Sequence, residues 1–307
     1  MKISTSALFD RATQQMSSVQ SSLAKSQAQL ASGKQIVAAS DAPDQAANIQ
    51  RLQSIITRQD SYAATLETVQ TRLKDEESSL QTVSNLLLRI KDISVQAASS
   101  TLAPTDRQAL ALEIGGLRDQ IVSMANSQDS RGNYLFAGSR VSQPAFAPNP
   151  AGVVIYQGDQ TRMTVSVGDQ RSVQLNRSGT DAFVRVVRQD NAGVKTGVGF
   201  FQAIDDLAAA IKKSDQTAMQ RGIGEMDALQ NGVTLSLAQV GTDMNVADTQ
   251  TAVLDETRLN LKTTLSSIQD LDYATAITQM NKQMLSLEAA QSSFGKISKL
   301  SLFDYIR

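Results

Sequence analysis

The chain has 307 residues and contains neither cysteine nor histidine, which excludes disulfides, thiolate nucleophiles, histidine-based catalytic triads and histidine metal ligands. Its formal net charge of −1 leaves no basic excess for binding nucleic acid, and no apolar run approaches the roughly 18–20 residues that span a membrane. We therefore expect no catalytic residues, no cofactor, no metal, no nucleic-acid partner and no membrane partner. The N-terminal segment also lacks the apolar region of a cleaved secretory signal, so export would require another route.

The N-terminal region predicts a helix with a narrow apolar stripe, whose residues recur at the three-and-four spacing of a coiled-coil seam. The predicted seam residues in this segment are Met16, Val19, Leu23 and Leu30. Gly33 can then stop the helix, because glycine adopts the left-handed conformation at little steric cost. Ser40 or Asp41 can cap the next helix, with Pro43 tolerated in its first turn.

A second, longer helix is predicted from Asp44 to Ser99, where the a and d positions are mostly apolar over roughly seven heptads. Polar residues interrupt this stripe, and Glu76 is one of them. We interpret the acidic run around Glu76 as a solvated face, an ion pair or a cap rather than as a metal or acid–base site. A third helix begins at Pro104 and carries its own apolar stripe.

The pattern changes after Gln128, where proline and glycine residues break the helix and mark turns. The predicted strands are Val153–Tyr156, Arg162–Val167, Val173–Leu175 and Phe183–Val187. The first two of these flank Gly158-Asp159, which we predict to be a hairpin connection. Residues 139–198 are therefore predicted to form a small β-rich insertion.

Helical spacing returns at Phe200 and persists to a break near Asp270. The predicted seam residues of the last helix are Ile277, Met280, Met284, Leu287 and Phe294. We predict a mainly α fold with a small β-rich inserted domain, a long helical rod and a coiled coil formed by both chain ends. The predicted domains are residues 1–42 with 271–307 as a terminal coiled coil ordered on assembly, 43–138 with 199–270 as the rod, and 139–198 as the insertion.

Motifs near both chain ends resemble the signatures of the bacterial flagellin family. On the N-terminal side they are Leu30–Lys34 (LASGK), Ser40–Pro43 (SDAP) and the opening Met1–Thr5 (MKIST). On the C-terminal side the matching motif is Ser267–Ala274 (SIQDLDYA). Because the motifs flank both ends, the resemblance covers nearly all of the helical part of the chain.

Three further stretches are similar to the hook-associated branch of this family, whose members join the hook to the filament. They are Ser130–Gly138 (SRGNYLFAG), Tyr156–Asp159 (YQGD) and Lys299–Ile306 (KLSLFDYI). The last stretch is the most informative, because true flagellins usually end differently.

The resemblance implies a structural subunit in a homo-oligomeric ring, with a hook-associated adaptor below it and flagellin above it. It also implies a cytoplasmic export chaperone at the C-terminal helix. Secretion to the extracellular flagellum would follow the flagellar type III route, without a cleaved signal peptide. Three alternatives remain, namely flagellin itself, a generic coiled-coil interaction module, and an enzyme whose site the residues do not reveal.

Overall fold

The structure is a computed structural model that describes residues 2–189 and 195–303. Its helices are α1 (Lys2–Ser32), α2 (Pro43–Ala97), α3 (Pro104–Ala125), α4 (Gly179–Ala182), α5 (Phe200–Lys213), α6 (Gln216–Gln269) and α7 (Tyr273–Phe303). Its strands are β1 (Phe146–Pro148), β2 (Val154–Tyr156), β3 (Thr164–Gly168), β4 (Arg171–Gln174), β5 (Val186–Gln189) and β6 (Lys195–Val198). The predicted fold class, mainly α with a small β-rich part in the middle of the chain, is confirmed.

Some sequence-based predictions fall on positions outside the described residues. These positions are Met1 of the opening motif, residues 190–194 of the β-rich insertion, and residues 304–307, which include the end of the C-terminal motif.

The chain divides into two compact units. The terminal unit consists of Met1–Gln59 and Glu256–Arg307, and the central unit consists of Asp60–Asp255. Both boundaries fall inside long helices, one in α2 and one in α6. The three-part division predicted from the sequence stays a prediction.

The core of the central unit is built on the apolar stripe of α2. Leu80, Val83, Leu87 and Ile90 recur at spacings of three and four, and all are fully or almost fully buried. The short helix α5 adds a second stripe at Phe200, Ile204, Leu207 and Ile211, and it packs against α3. These residues share one apolar core with residues of α3 and α6. Burial of a continuous face, rather than local hydrogen bonding alone, therefore stabilises these helices.

Strand pairing in the middle of the chain differs from the prediction. The predicted hairpin across Gly158-Asp159 is wrong, because β2 pairs with β1 and β3 pairs with β4, both antiparallel. The β1–β2 turn is closed by Asn149, whose side-chain oxygen accepts hydrogen bonds from the backbone N–H groups of Ala151 and Val153, both at 3.0 Å. Asn side chains favour such turns because they hydrogen-bond the backbone two or more residues further on.

The residues of the predicted hairpin connection have another role. The carboxylate of Asp159 accepts a hydrogen bond from the backbone N–H of Ser139 at 2.8 Å and from that of Thr161 at 3.0 Å. It thereby fixes the start of the β-rich segment to the stretch before β3. These hydrogen bonds, with the side-chain bond from Ser139 the largest cause, lower the pKa of Asp159 to about 2.

An aromatic cluster joins the β-rich segment to α5. Phe183, predicted to begin a strand, instead follows α4 directly. Its ring centroid lies 5.0 Å from that of Phe146 and 5.1 Å from that of Phe200. The β-rich segment therefore packs on the helices of the central unit through stacked and edge-on aromatic rings. Aromatic pairs generally prefer these offset and T-shaped arrangements.

Candidate functional site

The candidate site is the contact between the two chain ends, where helices α1 and α7 pack against each other. The buried or partly buried positions of α1 include Phe9, Ala12, Met16, Val19, Leu23, Ser26 and Leu30. Those of α7 include Ala276, Met280, Gln283, Leu287, Ala290 and Phe294. Both sets follow the alternating spacing of three and four residues that places side chains on the facing seam of a coiled coil.

The structure places the predicted seam residues in two groups. The first group is partly buried on the paired helices and comprises Met16, Val19, Leu23, Leu30, Met280, Leu287 and Phe294. The second group consists of Ile277 and Met284, which are 45% and 43% exposed. Whether any of these residues contacts another subunit stays a prediction.

Ile277 and Met284 lie one position away from the seam because smaller or polar residues occupy it. Ala276 and Gln283 take the partly buried heptad positions next to them. Small side chains at a helix contact allow close approach of the two helices, whereas sequence reasoning favours the larger apolar neighbour at each step. A spacing of three and four residues through Met280 and Leu287 is compatible with Gln283 or with Met284 at the position between them.

Two contacts in the seam were missed by sequence reasoning. The ring of Phe9 meets that of Phe294 edge-on, with centroids 5.3 Å apart. The hydroxyl of Ser26 donates a hydrogen bond to the side-chain oxygen of Gln283 at 2.9 Å. Phe9 could have been found, since it stands one heptad before Met16. A facing polar pair inside an apolar seam fixes the register of the two helices.

The flagellin-like motifs meet where α1 ends and α7 begins. Gly33 has a φ of +67° and donates its N–H to the carbonyl of Gln29 at 2.9 Å, which confirms the predicted helix stop. The N–H of Gln35 donates to the carbonyl of Gln269 at 2.8 Å, and that of Leu271 donates to the carbonyl of Gly33 at 3.0 Å. The two motifs therefore form a single backbone joint.

A close contact with a side chain also favours glycine at position 33. A Cβ atom added to Gly33 would lie 2.7 Å from the hydroxyl oxygen of Tyr273. Tyr273 is the first residue of α7, so the tyrosine of one motif fills the space that the glycine of the other leaves open. Close approach and a left-handed conformation together explain why this position carries glycine.

Two aspartates organise the chain beside this joint. Asp272 caps α7, since its carboxylate accepts hydrogen bonds from the Thr275 hydroxyl at 2.7 Å and the Ala274 N–H at 3.0 Å. The bonds from Thr275 are the main cause of its lowered pKa. Asp41, one of two residues predicted to cap α2, instead pairs with Lys25 at 2.9 Å and accepts from the N–H of Ala38. The Lys25 hydrogen bond is the largest cause of the lowered pKa of Asp41.

The position of Asp41 in the chain explains why it does not cap α2. The residues Ala39–Asp41 form a short 3₁₀ turn before α2, and α2 itself begins at Pro43. Ala42, and not Asp41, is therefore the residue directly before α2, where a capping side chain would stand. The carboxylate is thus free to hold the end of α1 through Lys25.

Neither a metal-type cluster nor a membrane-spanning helix is found within residues 2–189 and 195–303. No group of three or more carboxylate side chains in this part of the chain could hold a metal ion. None of its helices is long and apolar enough to cross a membrane. The paired helices α1 and α7 form a surface on which some apolar side chains remain exposed to solvent.

Comparison with known proteins identifies relatives over the whole chain. Family models for the bacterial flagellin N-terminal and C-terminal helical regions match residues 3–141 and 223–306. Flagellar hook-associated protein 3 of Salmonella typhimurium is 25% identical over 320 residues, which cover 100% of both chains. The protein of the same name from Escherichia coli is 25% identical over 99% of both chains.

A solved structure has a fold similar to that of this chain. The flagellar hook associated protein-3 from Legionella pneumophila superposes with a TM-score of 0.66 at 16% sequence identity. The match covers 72% of this chain and 98% of that chain.

Proposed function

This chain belongs to the bacterial flagellin family, and we propose that it is the structural subunit that joins the hook-side adaptor to the flagellin filament. The observation that carries the proposal is the end-to-end match to flagellar hook-associated protein 3, which spans both helical ends and the β-rich segment between them. Flagellin itself is a more distant relative. Relatives of this kind are structural proteins of the extracellular flagellum.

The proposed mechanism is polymerisation through the paired chain ends. The α1–α7 pair buries one stripe of each helix and leaves Ile277, Met284 and Leu285 exposed, the last at 72%. Complete burial of a side chain of this size contributes about 1.5–3 kcal/mol. Neighbouring subunits of a ring could cover these side chains, so association would complete the burial that one chain alone leaves partial.

The proposed partners follow from this position in the flagellum. A homo-oligomeric ring of this subunit would contact a hook-associated adaptor on one side and flagellin on the other. In the cytoplasm the exposed apolar side chains of α7 would need cover, which supports an export chaperone that binds this helix. We propose export through the flagellar type III route without a cleaved signal peptide. We also propose that assembly completes the ordering of the domain formed by residues 1–42 and 271–307.

No catalytic step belongs to this proposal. The arrangement at the chain ends is a packing surface, formed by the paired helices α1 and α7. A generic coiled-coil module would account for the two seams, but it would not account for the joint between Gly33 and Leu271 built from both flagellin-like motifs.

The decisive experiment is negative-stain imaging of a bacterial strain from which this gene has been deleted. We expect intact hooks without filaments, and flagellin released into the medium. Restoring the gene should restore the filaments. Normal filaments on the deletion strain would contradict the proposal. Absence of flagellin from both cell surface and medium would instead identify the chain as the filament subunit.

A further inference from the structure

A buried carboxylate lies in the centre of the central unit, on the stripe of α2. Glu76 is only 1% exposed, so of the predicted roles of its acidic run, a solvated face, an ion pair or a cap, the solvated face does not apply to it. Its side chain lies among residues from three other segments. Buried charges in proteins require partners, because transfer of an isolated carboxylate out of water is very costly.

The partners of Glu76 are two arginines, and neither contact is short. The distance from Oε1 of Glu76 to Nε of Arg72 is 3.7 Å, and the distance from Oε2 to Nε of Arg177 is 3.5 Å. Among the residues that the structure describes, Oε1 of Glu76 has no hydrogen-bond partner, and neither does Nε of either arginine. Oε1 of Glu76 is thus near positive charge without being hydrogen-bonded by it.

Each arginine makes its better contacts elsewhere. Arg72 donates to the carboxylate of Asp129 at 3.2 Å and to the carbonyl of Leu135 at 2.9 Å. Arg177 donates to the carboxylate of Asp243 at 2.7 Å. The positive charges of the two arginines are therefore already balanced by the negative charges of two aspartates. An ionised Glu76 gives the cluster one excess negative charge, whereas a protonated Glu76 makes it neutral.

We propose that Glu76 is a proton-binding site of the folded chain, and that loss of its proton loosens the contact of the Arg177 segment with α2 and α6. The cluster connects four pieces of the central unit. They are α2, which carries Arg72 and Glu76, the loop after α3 with Asp129, the segment between β4 and α4 with Arg177, and α6 with Asp243. An ionised Glu76 is an excess negative charge at the centre of the cluster, and it acts on all of these contacts.

The electrostatics of the site agree with this geometry. Burial raises the pKa of Glu76 to about 7, although Arg177 and Arg72 oppose the shift and Asp243 adds to it. Asp129, behind Arg72, has a lowered pKa despite its burial, because Asn133 and the N–H of Arg131 hydrogen-bond its carboxylate. Asp129 therefore keeps its charge while Glu76 titrates.

The sign of the pH effect follows from the two states of Glu76. The folded chain binds the proton with a pKa of about 7, and an opened chain releases it near the ordinary value of 4.5. The contribution of Glu76 to stability is therefore largest at low pH and falls as the pH rises from the lower value through the higher one. Between pH 6 and pH 8 these two values predict an increase of about tenfold in the local opening constant.

Hydrogen exchange of the full chain tests the proposal directly. Exchange of peptides around Arg177 and Leu135 is measured at pH 6 and pH 8, with correction for the intrinsic pH dependence of the amides. We expect opening to increase about tenfold in the natural chain and to be equal at the two pH values in Glu76→Gln. Glu77→Gln, at the exposed next position of α2, is the matched control and should behave as the natural chain does.

A second measurement needs no variant that could fail to fold. The carboxyl carbon of Glu76 in the natural chain is followed by NMR during a pH titration. A midpoint near the value of about 7 supports the proposal. A midpoint below about pH 5, near the ordinary glutamate value, would overturn it, as would an unchanged tenfold increase of exchange in Glu76→Gln.

Discussion

The central and terminal units carry the same spacing of apolar residues but bury it to different extents. In the central unit, Leu80, Val83 and Leu87 of α2 are 0–1% exposed and share a core with residues of α3, α5 and α6. In the terminal unit, Leu23 and Leu287 are only partly buried on the α1–α7 pair. Periodicity thus identifies the face that packs, whereas the number of covering elements determines how much stability that face contributes.

The largest expected effect is on the fully covered stripe. We expect Leu87→Ala to lower the free energy of unfolding of the central unit by about 2–5 kcal/mol, because it removes buried methyl groups and leaves a cavity. The matched change on the partly covered stripe, Leu23→Ala, should cost about 1 kcal/mol. Hydrogen exchange of α2 and α1 amides measures both losses in one chain. Equal losses would mean that the two stripes do not differ in burial.

A charge in the terminal seam should separate assembly from folding. Leu287→Glu would place a carboxylate against α1. In the proposed ring, neighbouring subunits would exclude water from this carboxylate, and its burial would cost at least about 1–3 kcal/mol. We expect the thermal unfolding of the central unit to be unchanged and filaments to be lost from the cells. Ser286→Glu, at the exposed neighbouring position, should assemble normally. Filaments of normal number on Leu287→Glu cells would exclude this helix from a buried subunit contact.

The joint of the terminal unit should be sensitive to a single methyl group. In Gly33→Ala, the left-handed conformation should cost about 1–2 kcal/mol, and the new Cβ would collide with the hydroxyl of Tyr273. Exchange of the first amides of α7 should accelerate accordingly. Gly115→Ala in α3 is the control, because a Cβ there meets no atom within 4 Å and alanine favours the helix by up to about 1 kcal/mol. Similar destabilisation by both changes would contradict the proposed role of position 33.

The smallest expected effect concerns the register of the terminal pair. Ser26→Ala removes the hydrogen bond to Gln283 and should cost about 1 kcal/mol, measured as faster exchange of α1 amides. A double-mutant cycle with Gln283→Ala isolates the interaction itself. A coupling energy of zero would show that this pair does not fix the register.

Much of the helical architecture could be predicted from the sequence, because long heptad stripes and proline or glycine stops act locally. The Gly33 stop and the start of α3 at Pro104 are examples. Strand pairing could not be predicted in the same way, since β2 could pair with either neighbour. The choice depends on the turn made by Asn149, which periodicity does not report.

The candidate seam was predictable to within one position on α7. Met280 and Leu287 follow from spacing alone, while Gln283 and Met284 compete for the position between them. The choice depends on the partner helix, where Ser26 supplies a hydrogen-bond donor. Spacing likewise places Glu76 on the packing stripe of α2, but it does not identify the partner Arg177, which lies in a distant segment.

The joint between Gly33 and Leu271 has a consequence for the order in which the chain folds. The hydrogen bond of Ser26 with Gln283 connects residues 257 positions apart, so α1 is synthesised first but acquires its partner helix last. Contacts of such long sequence separation slow folding, because the intervening chain must be ordered before they can form. The central unit, whose helix pairs lie closer in sequence, can fold earlier. A chain interrupted before residue 273 would therefore keep its central core and leave α1 without the partner that completes its seam.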